Sequence, residues 1–215
     1  MKVIIINGSP NANGCTYTAL SEAANTLNKN GVETEMVQLG KKPFYGCTAC
    51  NSCRTSGKCV FDDIVNELAD KIAAADGIII GTPVYYANPS GSLLAVLDRL
   101  FFSAGKRFAG KLGAAVVSAR RGGCSTSFDA VNKFFMISNI HVVSSQYWNQ
   151  VHGFTPDDVR QDLEGLQTMR TLGNNMAWLL KCIELGKQNG LVSPLPEKSI
   201  ITNFIRQDTT SPSYA

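Results

Sequence analysis

Two short runs in this chain, Val3-Ile4-Ile5-Ile6 and Ile78-Ile79-Ile80, are apolar at every position, and each is followed by a glycine within two residues. A strand with one face in water alternates apolar and polar residues, so a strand with no polar position must be covered on both sides. A parallel sheet carrying helices on both faces meets that requirement, and the rest of the chain supplies the helices.

Thr16 to Asn30 carries Leu20, Ala23, Ala24 and Leu27 at helical spacing and stops at Gly31. Val32 to Leu39 is a second strand with alternation in its middle. Asp62 or Asp63 caps a helix bearing Ile64, Leu68 and Ile72, ahead of the third strand at 77–81. Ser90 to Phe102 is a helix with Leu93, Leu94, Leu97, Leu100 and Phe101. Its apolar face is wider than one sheet contact needs, which points to a partner subunit in a homodimer or homotetramer. Leu112 to Ser118 is a fourth strand, and a helix around Phe128 to Met136 leads to a fifth near Ile140 to Ser144. Pro156 to about Asn189 is long and helical, either continuous or kinked once. Repeating β-α units of this kind predict a doubly wound parallel sheet, with the loops after strands one, three and four at one edge.

At 215 residues the chain is one domain rather than two. The net charge is +3, and no run of Lys or Arg exceeds two residues, which excludes an electrostatic footprint for nucleic acid. The N-terminal apolar run is too short for a signal peptide or a membrane span, and no later stretch reaches 18 uninterrupted apolar residues. The expected location is the cytoplasm, where thiols stay reduced. Seven cysteines there point to a metal or redox role rather than to disulfides.

Three loops are candidates for ligand binding. Asn7-Gly8-Ser9-Pro10-Asn11-Ala12-Asn13-Gly14-Cys15-Thr16 lies between a buried strand and a helix. It lacks the three-glycine spacing of a dinucleotide loop and the Gly-Lys-Ser/Thr of a triphosphate loop. It does offer hydroxyl, amide and backbone N–H donors at a helix N-terminus, which can hold a terminal phosphate. A plain strand–helix turn uses the same residue types. Gly81-Thr82-Pro83-Val84-Tyr85-Tyr86-Ala87-Asn88-Pro89-Ser90 can supply backbone amides and an aromatic wall for a flat ring, or its tyrosines can simply pack on the next helix. Ser118-Ala119-Arg120-Arg121-Gly122-Gly123 can approach a planar ligand through its glycines and bring positive charge.

Taken together, these loops resemble those of the NADPH-dependent FMN reductase branch of the flavodoxin-like superfamily. The resemblance runs through Gly8-Ser9-Pro10 to Thr16, Gly81 to Tyr86 and Leu97-Asp98-Arg99-Leu100, and on through Gln146-Tyr147-Trp148-Asn149 to His152-Gly153. It implies a flavodoxin-like, FMN-binding domain over residues 1–206, a sheet order of 2-1-3-4-5, and a polar tail over 207–215. By the same resemblance Ser9, Asn11, Asn13, Cys15 and Thr16 surround the FMN phosphate. Pro83, Val84, Tyr85, Tyr86 and Asn88 line the ring, with Ser118, Arg120, Arg121, Gly122 and Gly123 along its other edge. Where the family often has a basic residue this chain has Asn11-Ala12, and it has Cys15 where Asn is common, so phosphate affinity leans on amides and hydroxyls. A thiol at a helix N-terminus can have a lowered pKa, although a small buried filler suits Cys15 as well.

Cys47-x2-Cys50-x2-Cys53-x5-Cys59 is the sharpest local feature. Three thiols at this spacing suit the compact wrap of an iron–sulfur cluster, with the fourth ligand a few residues on. The motif resembles that of the iron–sulfur flavoproteins, which join this fold to a [4Fe-4S] cluster. Zinc fits less well, since structural zinc sites come as two separated pairs; a thiol-rich loop without metal is the remaining reading. The loop follows strand two, so it is expected at the same sheet edge as the flavin loops.

His141 reads as structural, and His152 lies near the flavin loops with no evident base role. Met169 and Trp178 read as packing. No catalytic residue is assigned, because a flavin carries the chemistry itself. The functional expectation is an oxidoreductase in which NAD(P)H, bound transiently, reduces FMN, which then reduces a quinone, a nitro compound or a second flavin. The alternatives are an iron–sulfur electron carrier between redox proteins and, outside redox chemistry, a ligand-sensing interaction protein.

Overall fold

The structure, a computed structural model, describes residues 1–194 together with 197, 200 and 202. The domain end expected at 206 and the tail over 207–215 lie outside the described residues. Strands β1 (Lys2–Asn7), β2 (Glu33–Gln38), β3 (Gly77–Tyr85), β4 (Asn88–Pro89), β5 (Leu112–Ala119), β6 (His141–Val142) and β7 (Gln150–His152) alternate with helices. The helices are α1 (Cys15–Lys29), α2 (Ser52–Ser56), α3 (Ile64–Ala74), α4 (Gly91–Ala104), α5 (Cys124–Ile137), α6 (Pro156–Gln161) and α7 (Leu163–Gln188).

The sheet runs β2-β1-β3-β5-β6, with β7 also beside β5 and all of these pairs parallel. The positions match the expected 2-1-3-4-5 order. The labels differ because β4 is a two-residue antiparallel arm on β3, not a strand of the main sheet. β1 and β3 are the apolar runs, and they sit side by side, Val3 opposite Gly77 through Asn7 opposite Gly81. Period-two geometry splits their side chains between two cores. Ile4, Ile6, Ile78 and Ile80 face α3, α4 and α5, while Val3, Ile5 and Ile79 face α1 and α7. All seven are fully buried.

Several elements differ from the sequence reading for identifiable reasons. β3 continues past Gly81 to Tyr85, because antiparallel pairing with β4 prolongs the strand. The fifth sheet position is split into β6 and β7, and the Gln146–Asn149 signature forms the break. There Ser145 Oγ lies 2.6 Å from the Tyr147 carbonyl oxygen and 2.7 Å from Asn149 Oδ1, within hydrogen-bond reach of both. Of the two forms expected for the last long helix, the once-kinked one is found: it breaks at Asp162, whose backbone leaves the helical region (ψ 78°) and whose carboxylate accepts the Gly165 amide of α7. Met169 is buried as expected, whereas Trp178 is 65% exposed and is not a packing residue of this chain.

Asp63 caps α3 by accepting the Val65 amide at 3.1 Å. Most of the wide apolar face of α4 is covered within the chain, though Leu94 is only partly buried and Phe102 is half exposed. Leu93, Val96, Leu97, Leu100 and Phe101 enter the core, and Phe102 and Ser103 lie against the cysteine loop.

Ile79 is enclosed between the sheet and α1, so Ile79→Ala removes methylenes where nothing can collapse to fill the gap. The expected loss is about 2–5 kcal/mol, which for a chain of this size lowers the thermal midpoint by roughly 5–15 °C. A calorimetric melt checks it.

Candidate flavin-type edge and cysteine cavity

At the carboxyl edge of the sheet the first loop is fixed from both sides. The Gly8 amide donates to the Gly81 carbonyl at 2.8 Å, and Ser90 Oγ donates to the Gly8 carbonyl at 2.9 Å. The Ser90 amide in turn donates to Thr82 Oγ1 at 3.0 Å. A side chain on Gly8 would meet the Gly81 oxygen at 2.8 Å, so only glycine lets these two loops approach so closely. The Ser9 amide donates to Asn7 Oδ1 and the Asn11 amide to Ser9 Oγ, both at 3.1 Å, while Gln38 Nε2 donates to the Ser9 carbonyl.

These bonds leave the Asn11 and Asn13 side chains exposed beside the start of α1. The opening amides of a helix have no partner within it and form the positive end of its dipole. In α1 no side chain caps them, and the first turn carries no acid. Side chains cap α3, α4, α6 and α7 through Asp63, Ser90, Thr155 and Asp162. α5 also starts without a side-chain cap, at Gly123.

Thr16 and Ser118 come together from the first and fourth loops, their buried hydroxyls 2.8 Å apart. Cys15 Sγ donates to the Gly153 carbonyl at 3.6 Å, and burial pushes its thiol up rather than down, which is the filler role rather than the reactive one. Ser9 is buried as well.

The third loop is a hairpin. Val84 pairs with Pro89 and Tyr85 with Asn88, and the turn between them rests on Tyr86 and Ala87 with φ of 51° and 58°. Positive φ at both central residues matches the right-handed strand twist, and Asn-Gly is the usual sequence for it. Two side-chain-bearing residues hold it here at a cost of order 1–3 kcal/mol each. Asn88 Nδ2 donates to the Tyr86 carbonyl at 3.3 Å. Pro83 and Val84 are partly buried, Tyr85 is half exposed, and Tyr86 stands fully in solvent at the tip.

The fourth loop leans on this tip. Gly123, at φ 93°, comes so close that a Cβ there would lie 2.7 Å from both Ala87 Cα and Val84 Cγ1. A Cβ on Gly122 would meet nothing within 4 Å, and Arg120 and Arg121 are exposed. His152 supports this loop, with Nε2 lying 3.2 Å from the Arg121 carbonyl and 4.0 Å from Cys124 Sγ. Its amide donates to Asp162 Oδ2 at 2.7 Å. Gln38, Thr82, Ser90 and Asp162 also support the loops through partners eight or more residues away, which no local pattern marks, whereas Asn7 holds the Ser9 amide only two residues on.

The edge thus joins an uncapped helix start, a buried hydroxyl pair, an aromatic hairpin and an open glycine shelf. An anionic group at α1 and a flat ring between hairpin and shelf suit these donors and surfaces.

Cys47, Cys50, Cys53 and Cys59 line a separate, partly open cavity together with Phe61, Arg99, Phe102 and Ser103. It does not adjoin the flavin-type edge. Ser90 marks that edge at the N-terminus of α4, whereas Phe102 is eleven residues past Gly91, about 16 Å along the helix. By Tyr45, whose carbonyl accepts from Arg99 at 3.4 Å, the chain leaving β2 has reached the middle of α4. Among the described residues no three metal-ligating groups are close enough to hold a single ion. Burial and the neighbouring sulfurs of Cys50, Cys47 and Cys59 push the Cys53 thiol up, while hydrogen bonding from Ser52 draws the Cys50 thiol down.

A family model described as NADPH-dependent FMN reductase matches residues 1–155. An iron–sulfur flavoprotein of Methanocaldococcus jannaschii is 37% identical over 192 residues, covering 86% of this chain and all of that protein. An iron–sulfur flavoprotein of Methanosarcina thermophila is 31% identical over 188 residues, covering 86% of this chain and 97% of its own. Among solved structures, RosB with bound 8-demethyl-8-formylriboflavin-5′-phosphate superposes with a TM-score of 0.67 at 15% identity, over 100% of this chain and 96% of that one. Among the described residues no helix is long and apolar enough to cross a membrane.

Burial pushes the Cys124 thiol up to about 11, so at pH 8 only about one molecule in a thousand carries the reactive thiolate there. Brief alkylation of the native protein at pH 8, read by peptide mass spectrometry, is expected to label exposed Cys50 first and leave Cys124 unmodified. Raising the pH towards 11 recovers Cys124 labelling.

Proposed function

Because this chain belongs to the NADPH-dependent FMN reductase family, we propose that it is an oxidoreductase that holds FMN at the carboxyl edge of its sheet. In this reading NAD(P)H is the transient reductant and the acceptor is small, a quinone, a nitro compound or a second flavin. The observation that carries it is the convergence of the uncapped start of α1, the Thr16–Ser118 hydroxyl pair and the Tyr85–Tyr86 hairpin on one edge. FMN supplies two-electron exchange with nicotinamide and one- or two-electron delivery to an acceptor.

The chain's part is binding and orientation. Ser9, Asn11, Asn13, Cys15 and Thr16, with the first amides of α1, hold the phosphate dianion without a fixed cation. Pro83, Val84, Tyr85, Tyr86 and Asn88 cover one side of the ring and keep water from it, and Ser118, Arg120, Arg121, Gly122 and Gly123 follow its other edge. The arginines favour negative charge on the ring. No side chain is needed as a nucleophile.

Loss of one hydrogen bond to a charged phosphate costs roughly 1.5–3 kcal/mol. Thr16→Ala is accordingly expected to weaken FMN binding about ten- to hundredfold and to leave riboflavin binding unchanged. Fluorescence titration with both flavins checks this, and equal affinity of the native chain for FMN and riboflavin would sink the phosphate assignment.

The cysteine cavity favours a second component. Four thiols on one apolar cavity suit a four-iron cluster, which spaces its ligands more widely than a single ion does. The relatives named as iron–sulfur flavoproteins support the same reading. A chain carrying both groups can act as an electron carrier between redox proteins, and reduction by a ferredoxin-type donor rather than by NAD(P)H would favour that role. After anaerobic reconstitution with iron and sulfide, native protein is expected to hold four irons per chain and Cys50→Ala far fewer. Equal iron in both would make the loop a metal-free thiol-rich element.

A further inference from the structure

Arg99 is the one charged residue among the buried positions of α4, at 2% exposure, flanked by Val96, Leu97, Leu100 and Phe101. A buried ion pair is a poor source of stability, since a well-packed apolar residue does as well or better. Its guanidinium nevertheless has a defined partner for every donor. Its terminal nitrogens hold Asp63 in a two-point pair at 2.7 and 2.8 Å and reach the Tyr45 and Phe61 carbonyls at 3.4 Å, and Nε donates to Cys59 Sγ at 3.2 Å. The group also lies over the Phe61 ring, 4.9 Å from its centre.

Cys59 is held at its backbone as well. Its amide donates to Asn66 Oδ1 at 2.9 Å, and Asn66 Nδ2 donates to its carbonyl at 3.0 Å. Cys47 and Cys50 are exposed, and the hydrogen bonds that reach the Cys50 thiol come from its near neighbours Ser52 and Thr48 rather than from a buried charge. Cys59 is therefore the thiol of the cavity that a buried cation on its wall holds in place.

We propose that Arg99 is a positioning residue of the four-thiol site, fixing Cys59 as its anchor ligand and supplying the positive charge that a thiolate-held cluster needs in a poorly solvated wall. This rests on the cluster reading above. A fixed donor to a ligand sulfur and a nearby cation both favour the more reduced, more negative state of such a cluster, so Arg99 raises its potential as well as retaining it. Asp63 sets the guanidinium plane, which aims Nε at the sulfur.

The test uses full-length protein loaded with FMN and reconstituted anaerobically with ferrous iron and sulfide. Arg99→Gln removes the charge, and Arg99→Lys keeps the charge without the fork. Two readouts are iron release to a chelator and the midpoint potentials of cluster and flavin in the same sample. Arg99→Gln is expected to release iron about ten- to hundredfold faster, the size of losing one charge-assisted hydrogen bond. Its cluster potential falls while the flavin potential stays put, a change that a purely structural role would not produce. Arg99→Lys recovers part of the potential and little of the retention.

Wild-type release and potential in loaded Arg99→Gln overturn the proposal. If Arg99→Gln fails to fold, judged by loss of flavin binding, Asp63→Asn decides. That change keeps the α3 cap and the guanidinium but loosens its aim, and several-fold faster release is expected; no change overturns the proposal. Native protein that takes up no more iron than Cys50→Ala overturns the cluster reading itself, and this proposal with it, a result distinct from a loaded wild type beside unaffected Arg99 variants.

Discussion

The pairing of β1 with β3 is the interaction on which the rest of the structure depends. Their central runs, Val3 to Ile6 and Ile78 to Ile80, are wholly apolar, and neither can be placed with a face in water without exposing at least one isoleucine, about 1.5–3 kcal/mol apiece. Paired in the sheet centre with helices on both sides, all of them are buried. The pairing also decides where function can sit. It brings Asn7 opposite Gly81, so the first and third loops leave the sheet side by side, joined by the Gly8 amide and the Gly81 carbonyl. In an open parallel sheet the crevice at the carboxyl ends is where a ligand fits, because helix starts converge there and strand pairing stops.

α4 links the two chemically distinct regions. Its cap residue, Ser90, holds the Gly8 carbonyl and so belongs to the flavin-type edge. Nine residues on, Arg99 holds Cys59, and Phe102 floors the cysteine cavity. One rigid helix thus fixes both, with the apolar core between them. The separation along α4 means that the two regions are not in contact through this helix, and each can be perturbed while the other reports on the integrity of the fold.

The hairpin at Tyr86 and Ala87 is where local preference and final structure disagree most. Neither residue favours positive φ, yet both adopt it, and Gly123 is pressed against the turn. Such strain persists only where the surroundings over-determine the backbone, and it recurs where a ligand is clamped. Here it places Tyr86 fully in solvent at the mouth of the edge, where a flat ligand would cover it.

The sequence by itself determined the doubly wound sheet, because wholly apolar strands admit few other homes, and it located the three loops and the four-cysteine wrap, because these are contiguous stretches whose residue types act locally. It also pointed to Asp62 or Asp63 as a cap, and Asp63 fills that role through a bond that reaches only two residues along the chain. Only the tertiary structure decided that the fifth strand is split, that β3 runs on into a hairpin, and that the cysteine loop travels down α4 instead of staying at the flavin-type edge. It also turned Arg99 from an unassigned residue in a familiar Leu-Asp-Arg-Leu stretch into the partner of Cys59, and joined Thr16 to Ser118. The hairpin and the break in the fifth strand are local, but Tyr86-Ala87 stands where Asn-Gly is the usual turn signal; the Arg99 and Thr16 contacts escape local reading for another reason. Periodicity and capping depend on neighbours within a few residues, whereas these contacts join residues up to 102 positions apart, and no local pattern encodes which distant donor meets which acceptor.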